Sequence, residues 1–257
     1  MQTFRRRSVR IWFGLRQACI VKIQRSWFGT IQECQACIYD YPEEWNRSAD
    51  STFHHLQQLV RIYSLQPYRA TFIVGGPSLR WKLLDIPAEK RREALQMADW
   101  DGISSGAVSC ELDVQRRRKR LPSGGYEWIA AAYPSDSIQY LLDAWHRICC
   151  TWPERIDVLP AVAGRWHRDS GSLYICEPGQ VHVMVMEDGE VITYQCIETL
   201  PPEGAELLRQ HGCKEGSAIV WLNGNGSRWS LEVGSQASRK LAAQWDLSPA
   251  AAMVASD

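Results

Sequence analysis

The residues of this chain whose types and placement could do chemistry gather at two glycine turns. One reads Trp12-Phe13-Gly14-Leu15 and the other Glu177-Pro178-Gly179. Around each, an apolar strand-like segment meets a glycine and continues as a second segment. A further turn then leads into a third. The first copy runs through 11–23 and turns at Phe28-Gly29 into 31–39. The second runs through 173–185 and turns at Asp188-Gly189 into 191–197. A strand–glycine–strand–turn–strand unit that occurs twice predicts two similar half-domains facing each other across a cleft. A glycine turn at the edge of such a cleft lets backbone N–H groups come close to a phosphate. The neighbours of the two glycines therefore decide whether the chain is an enzyme.

Other candidate chemistry is thinner. The turn Asn223-Gly224-Asn225-Gly226 follows the apolar run 217–222, but no G-x-G-x-x-G or G-x-x-x-x-G-K-[ST] occurs, which excludes a dinucleotide binder or a P-loop protein. His54 and His55 are adjacent on an expected helix and diverge by about 100°, so they do not chelate one ion as a pair. His182 alternates with valines in a strand and reads as a satisfied core or interface histidine. No serine or cysteine sits in a G-x-S-x-G elbow. Glu111, Asp113, Asp157 and Glu177 are scattered and define no carboxylate pair. Cys34 and Cys37 form one C-x-x-C in a strand, where i and i+3 point to opposite faces, and no second zinc-spaced pair accompanies it. The remaining strand-borne thiols read as small core hydrophobes.

The formal net charge is zero, so no global field favours nucleic acid or an anionic membrane. The basic run 116–120 reads as the solvated end of a hairpin. No apolar stretch approaches a membrane span, and arginines and a lysine interrupt the segment after Arg5-Arg6-Arg7, making it a basic lead-in to a first strand. Twelve tryptophans are many; most are expected in the core, with some lining a partner surface.

The elements that must position these residues alternate between strand and helix. A helix capped by Asp50 or Ser51 carries Phe53, Leu56, Val60 and Tyr63 on one face and ends at Pro67. Strands over 68–74 and 79–86 follow, then a helix from about residue 88 to 100. A hairpin over 108–115 and 126–133 comes next. The spacing of Ile138, Leu141, Leu142, Trp145 and Ile148 predicts an amphipathic helix capped by Ser135 or Asp136. A short strand at 155–159 and a helical turn at 160–166 lead to the linker 168–171. Later come a short helix at 204–211, a strand at 217–222, a strand at 228–233 and helices at 235–245 and after Ser248. The class is α/β with two lobes, 1–167 with an inserted hairpin–helix subdomain and 168–257.

This order of elements, the two strand–glycine–strand openings and the Asn-Gly-Asn-Gly turn together resemble the actin-like ATPase fold, a duplicated ribonuclease H-like architecture. Within it the chain is similar to the type IV pilus assembly protein PilM family, including the short form called HofM. It is more distantly similar to the cytoplasmic part of the type II secretion L protein. The layout match runs from about residue 9 to 255; the stretches 68–87 and 127–166 resemble passages of that family. An intact member ends its first strand Asp-x-Gly-[ST], with the Asp near the metal-nucleotide. Here those positions read Trp12-Phe13-Gly14-Leu15, and Trp12 would fill the space of a hydrated cation. The second Asp-x-Gly reads Glu177-Pro178-Gly179, which keeps a carboxylate while the proline removes one backbone N–H. The glycine pair beneath adenosine reads Gly224-Asn225-Gly226. The segment between Ile197 and Ser217 is too short for the helical subdomain of longer relatives, so the second lobe is expected to be truncated.

The resemblance thus implies a vestigial nucleotide site at Gly14, Glu177, Gly179, Gly224 and Gly226, no catalytic residue, no metal and no required cofactor, ATP-Mg²⁺ included. It implies a cytoplasmic scaffold, peripheral to the inner membrane through a partner, for a type IV pilus, competence or type II secretion-like assembly. The expected partner is the N-terminal cytoplasmic tail of a PilN-like inner-membrane protein, held as an extended peptide near Trp81 and Trp128. Other pilus or secretion components are expected partners as well; nucleic acid is not. The rival reading is an actin-like ATPase with weak residual ATP binding.

Overall fold

The computed structural model describes residues 6–41, 44–100, 103, 109–122, 124–198, 218–221 and 249–255. In chain order its elements are β1 (Arg6–Phe13), β2 (Gln17–Arg25), β3 (Ile31–Asp40), α1 (Ala49–Tyr63), β4 (Arg69–Val74), β5 (Arg80–Ile86) and α2 (Arg91–Trp100). Then follow β6 (Cys110–Arg120), β7 (Tyr126–Pro134), α3 (Ser135–Cys149), β8 (Arg155–Val158) and α4 (Leu159–Trp166). The last are β9 (Gly171–Glu177), β10 (Gln180–Glu187), β11 (Glu190–Glu198), β12 (Ala218–Trp221) and α5 (Pro249–Ala255). The regions 204–211, 223–227, 228–233 and 235–245, and the segment between β11 and β12, lie outside the described residues.

The duplication expected from sequence is a duplication of topology. The first sheet runs β3-β2-β1-β4-β8 and the second β11-β10-β9-β12. In the first, β1 is antiparallel to β2 and parallel to β4; in the second, β9 is antiparallel to β10 and parallel to β12. β1 is buried without interruption from Val9 to Phe13, because a central strand covered on both faces needs apolar residues at every position. β3, at the sheet edge, buries only Cys34 fully. A third sheet, β5-β7-β6, is antiparallel and packs with α2 around its own small core of Leu84, Ala94, Ala98, Val114 and Trp128. The main core is one continuous cluster that joins Ile11, Trp12 and Phe72 of the first lobe to Ile175, Met184 and Met253 of the second.

Several boundaries differ from expectation, each for a local reason. The cap of α1 is Ser48, whose hydroxyl accepts the Ser51 N–H at 3.1 Å, so the helix starts earlier than Asp50 or Ser51 would place it. It stops at Tyr63 because Ser64 turns left-handed (φ 53), before Pro67 is reached. β7 passes straight into α3 through Pro134, which leaves no side-chain cap; the Ser135 N–H instead bonds the Ser109 carbonyl at 2.9 Å. The basic run 116–120 is not a hairpin end. β6 extends through it, and the turn lies beyond, where Gly124 and Gly125 both take positive φ. Among the described residues no helix is long and apolar enough to cross a membrane.

Candidate functional site

The two glycine turns meet. The first closes through the Gly14 N–H, which bonds the Gln17 carbonyl at 2.9 Å. The buried hydroxyl of Tyr41 braces it from outside, shared between the carbonyls of Gly14 and Gln17, the latter at 2.9 Å. Trp12 is wholly buried, and its ring stands edge-on to that of His182 with centroids 5.9 Å apart.

From the second turn, the Glu177 side chain crosses to the first without solvent exposure. Its Oε2 accepts the Leu15 N–H at 2.9 Å, and its Oε1 accepts the Gln180 amide and the His182 Nε2 proton, the second at 2.6 Å. A Cβ on Gly14 would overlap this carboxylate, so only glycine fits there. The turns interlock in reverse as well. Gly179 takes φ +89, and a Cβ on it would lie 3.1 Å from Leu15 Cδ2. Gln180 pairs directly across from Glu177, and His182, two residues on, shares its face of the strand, which is how the hairpin delivers three polar groups to one point.

The network continues inward. His182 Nδ1 is 2.9 Å from the Tyr194 hydroxyl. That hydroxyl accepts the Gly76 N–H at 2.8 Å and lies 3.2 Å from the Gly76 carbonyl. Burial, with the nearby Glu177 charge second, holds the Tyr41 phenol well above its ordinary range. Burial foremost does the same to Tyr194 and pushes the Cys196 thiol up to about 12, so these groups stay protonated donors. A Glu–His–Tyr chain is a proton-relay constellation, yet Glu177 and His182 have no exposed side-chain surface. The backbone N–H of Leu15 would serve a phosphate oxygen in an anion cradle, and a carboxylate already holds it. That carboxylate would also repel an incoming phosphate.

Of the five expected site residues, the structure brings together Gly14, Glu177 and Gly179. Gly224 and Gly226 lie outside the described residues. Tyr41, Gly76, Gln180 and Tyr194 escape sequence reading. The signal that existed was the i, i+2 spacing of Gln180 and His182 beside Glu177.

A groove of about 510 Å³ opens where β6 approaches β8. Residues 111–115 of one strand and 156–158 of the other line it, with Trp81, Ile138 and Leu142. Both strands end their sheets, so within the described residues each has one unpaired edge. Of the two tryptophans expected beside a partner peptide, Trp81 lines this groove, its Nε1 donating to the Val191 carbonyl at 3.0 Å. Trp128 does not; it is buried against α2, with Nε1 on the Ala88 carbonyl at 3.0 Å.

No family model matches the chain, and no curated protein matches it in sequence. Solved structures do resemble it in fold. The PilM-PilN type IV pilus biogenesis complex matches over 80% of this chain at 10% identity with a TM-score of 0.57; the chain spans 65% of that chain's length. A Bacteroides thetaiotaomicron protein with an actin-like ATPase fold matches over 98% of this chain and 96% of its own, at 8% identity and a TM-score of 0.51. The cytoplasmic domain of EpsL, an inner-membrane component of the Vibrio cholerae type II secretion system, covers 84% and 82% at 12% identity and a TM-score of 0.49. The chain has the two-lobed actin-like ATPase fold.

Proposed function

We propose that this chain is a non-catalytic scaffold, a pseudo-ATPase on the actin-like fold. It serves the cytoplasmic side of a type IV pilus, competence or type II secretion-like assembly. The observation that carries the first half is Glu177: its carboxylate sits between the two glycine turns and takes the Leu15 N–H for itself. The groove supports the second half. Two strand edges that are open among the described residues, flanked by Trp81, Ile138 and Leu142, suit an extended peptide, which gains backbone hydrogen bonds from an edge and side-chain burial from the walls. A structural neighbour is the PilM-PilN complex, and the corresponding ligand here is the cytoplasmic tail of a PilN-like inner-membrane protein.

Titration calorimetry with ATP-Mg²⁺ and with a synthetic partner tail tests both halves. The tail should bind, and Leu142→Glu should weaken it at least tenfold, about 1.4 kcal/mol. ATP-Mg²⁺ should not bind tighter than about 10 μM. Tighter nucleotide binding would restore the rival reading of a working ATP site, and a tail that ignores Leu142→Glu would remove the groove.

A further inference from the structure

The β2–β3 hairpin carries a feature that the scaffold reading does not use. At its apex Trp27 is 70% exposed and Phe28 92% exposed. The turn beneath them is closed. The Ser26 N–H bonds the Thr30 carbonyl at 2.8 Å, the Gly29 N–H bonds the Ser26 carbonyl at 3.0 Å, and the Thr30 N–H reaches Ser26 Oγ at 3.2 Å. Gly29 takes φ +83, which permits the tight return. Two large aromatics are thus held out on a formed turn.

The collar below them is basic. Arg25 stands directly opposite Arg6 in the strand pair, and Arg7 follows on the next rung. Among the described residues of the strand ends that carry the apex, the charged ones are Arg6, Arg7, Lys22, Arg25 and Glu33; Arg25 also donates to the Gly29 carbonyl at 3.3 Å, and Glu33 accepts from the Gln24 and Gln35 amides. A chain of zero net charge therefore carries a local excess of positive charge beside an exposed apolar tip.

We infer that the 26–30 apex is a membrane-docking element that enters the headgroup region of an anionic bilayer. Trp and Phe favour that interface, and arginines around an apolar tip complement anionic headgroups. The proposal rests on the hairpin alone and holds whether or not the groove takes a pilus partner.

The test is flotation of the full chain with vesicles of phosphatidylcholine, alone or mixed with phosphatidylglycerol. Binding should require phosphatidylglycerol, fall as salt rises, and drop at least tenfold in Trp27→Ser/Phe28→Ser and in Arg6→Gln/Arg7→Gln. Both pairs are exposed, so unchanged melting confirms that the variants fold. Wild-type chain that fails to float, or an aromatic variant that floats as well as wild type, overturns the proposal; the first result would leave the apex to a protein partner.

Discussion

The two copies of the duplicated unit share a topology and use their turns in opposite ways. In the first copy, the glycine turn offers a backbone N–H at Leu15 and the hairpin apex thrusts Trp27 and Phe28 into solvent. In the second, the glycine turn supplies the carboxylate that takes that N–H, and the hairpin apex is tied down. The guanidinium of Arg117 bonds Glu187 at 2.9 Å and Glu190 at 2.7 Å on either side of Asp188-Gly189, and Glu127 of β7 at 2.6 Å. The Gly189 carbonyl lies so close to α4 that a Cβ on Gly164 would stand 3.1 Å from it. One copy is built to close the molecule and the other leaves a turn free to meet something else. The backbone plan was duplicated; the side chains divide the roles.

The sharpest way to break this comparison is at the interlocked turns. Glu177→Ala should cost about 3–5 kcal/mol in urea denaturation, because the Leu15 N–H, the Gln180 side-chain N–H and His182 Nε2 all lose the buried carboxylate they share. Gly14→Ala should cost about 3 kcal/mol by driving a Cβ into the carboxylate. The double variant should cost less than the sum by at least about 1 kcal/mol, since the new methyl enters the vacated space. Strict additivity would mean that the turns do not lock each other. Next in size is Arg117→Met, expected to cost about 3 kcal/mol because it takes the guanidinium from the buried Glu127 carboxylate and from the second apex. Arg116→Met, which loses only a stack 4.5 Å above the Tyr126 ring, should cost under about 1 kcal/mol.

That pair shows what a sequence can and cannot disclose. Five adjacent basic residues read as one solvated patch, yet Arg117 is 3% exposed. Its acidic partners lie 10, 70 and 73 residues away, so no local window contains them. The duplicated strands, by contrast, were legible because apolar runs and glycine turns are local signals. The architecture followed from their order. Gly14 and Glu177 were recognisable as turn residues, but the Leu15–Glu177 hydrogen bond that joins their turns spans 162 residues and depends on the packing of the two lobes. Trp81 and Trp128 are chemically identical in the sequence. Which one faces the groove is decided by the sheet and helix packed around each.

A smaller pair of substitutions compares the two hairpin apices directly. Gly29→Ala meets nothing within 4 Å and should cost only the positive-φ strain, about 1 kcal/mol. Gly164→Ala sets a Cβ 3.1 Å from the Gly189 carbonyl, so the second apex must give by a few tenths of an ångström; that cost should offset the roughly 1 kcal/mol that alanine gains over glycine inside a helix and leave the urea midpoint near the parent's. A full gain of about 1 kcal/mol in Gly164→Ala would mean that the second apex is not seated on α4.

The smallest effect is a titration on the closed side. His167 begins the segment joining α4 to β9, next to Arg168, whose backbone abuts Gly189. Burial pushes the His167 pKa below its ordinary 6.5, and the Asp169 charge pulls weakly the other way. The unfolded chain therefore takes up this proton first as pH falls. Above about 6.5 both states are neutral and the group contributes no slope; below it, stability is lost until the folded form protonates too. His167→Asn should remove that component, so the difference in urea midpoint between variant and parent should change from pH 7 to pH 5 in the variant's favour. A constant difference across that range would show that the joint is open to solvent, and the contrast between a packed second copy and an open first would weaken with it.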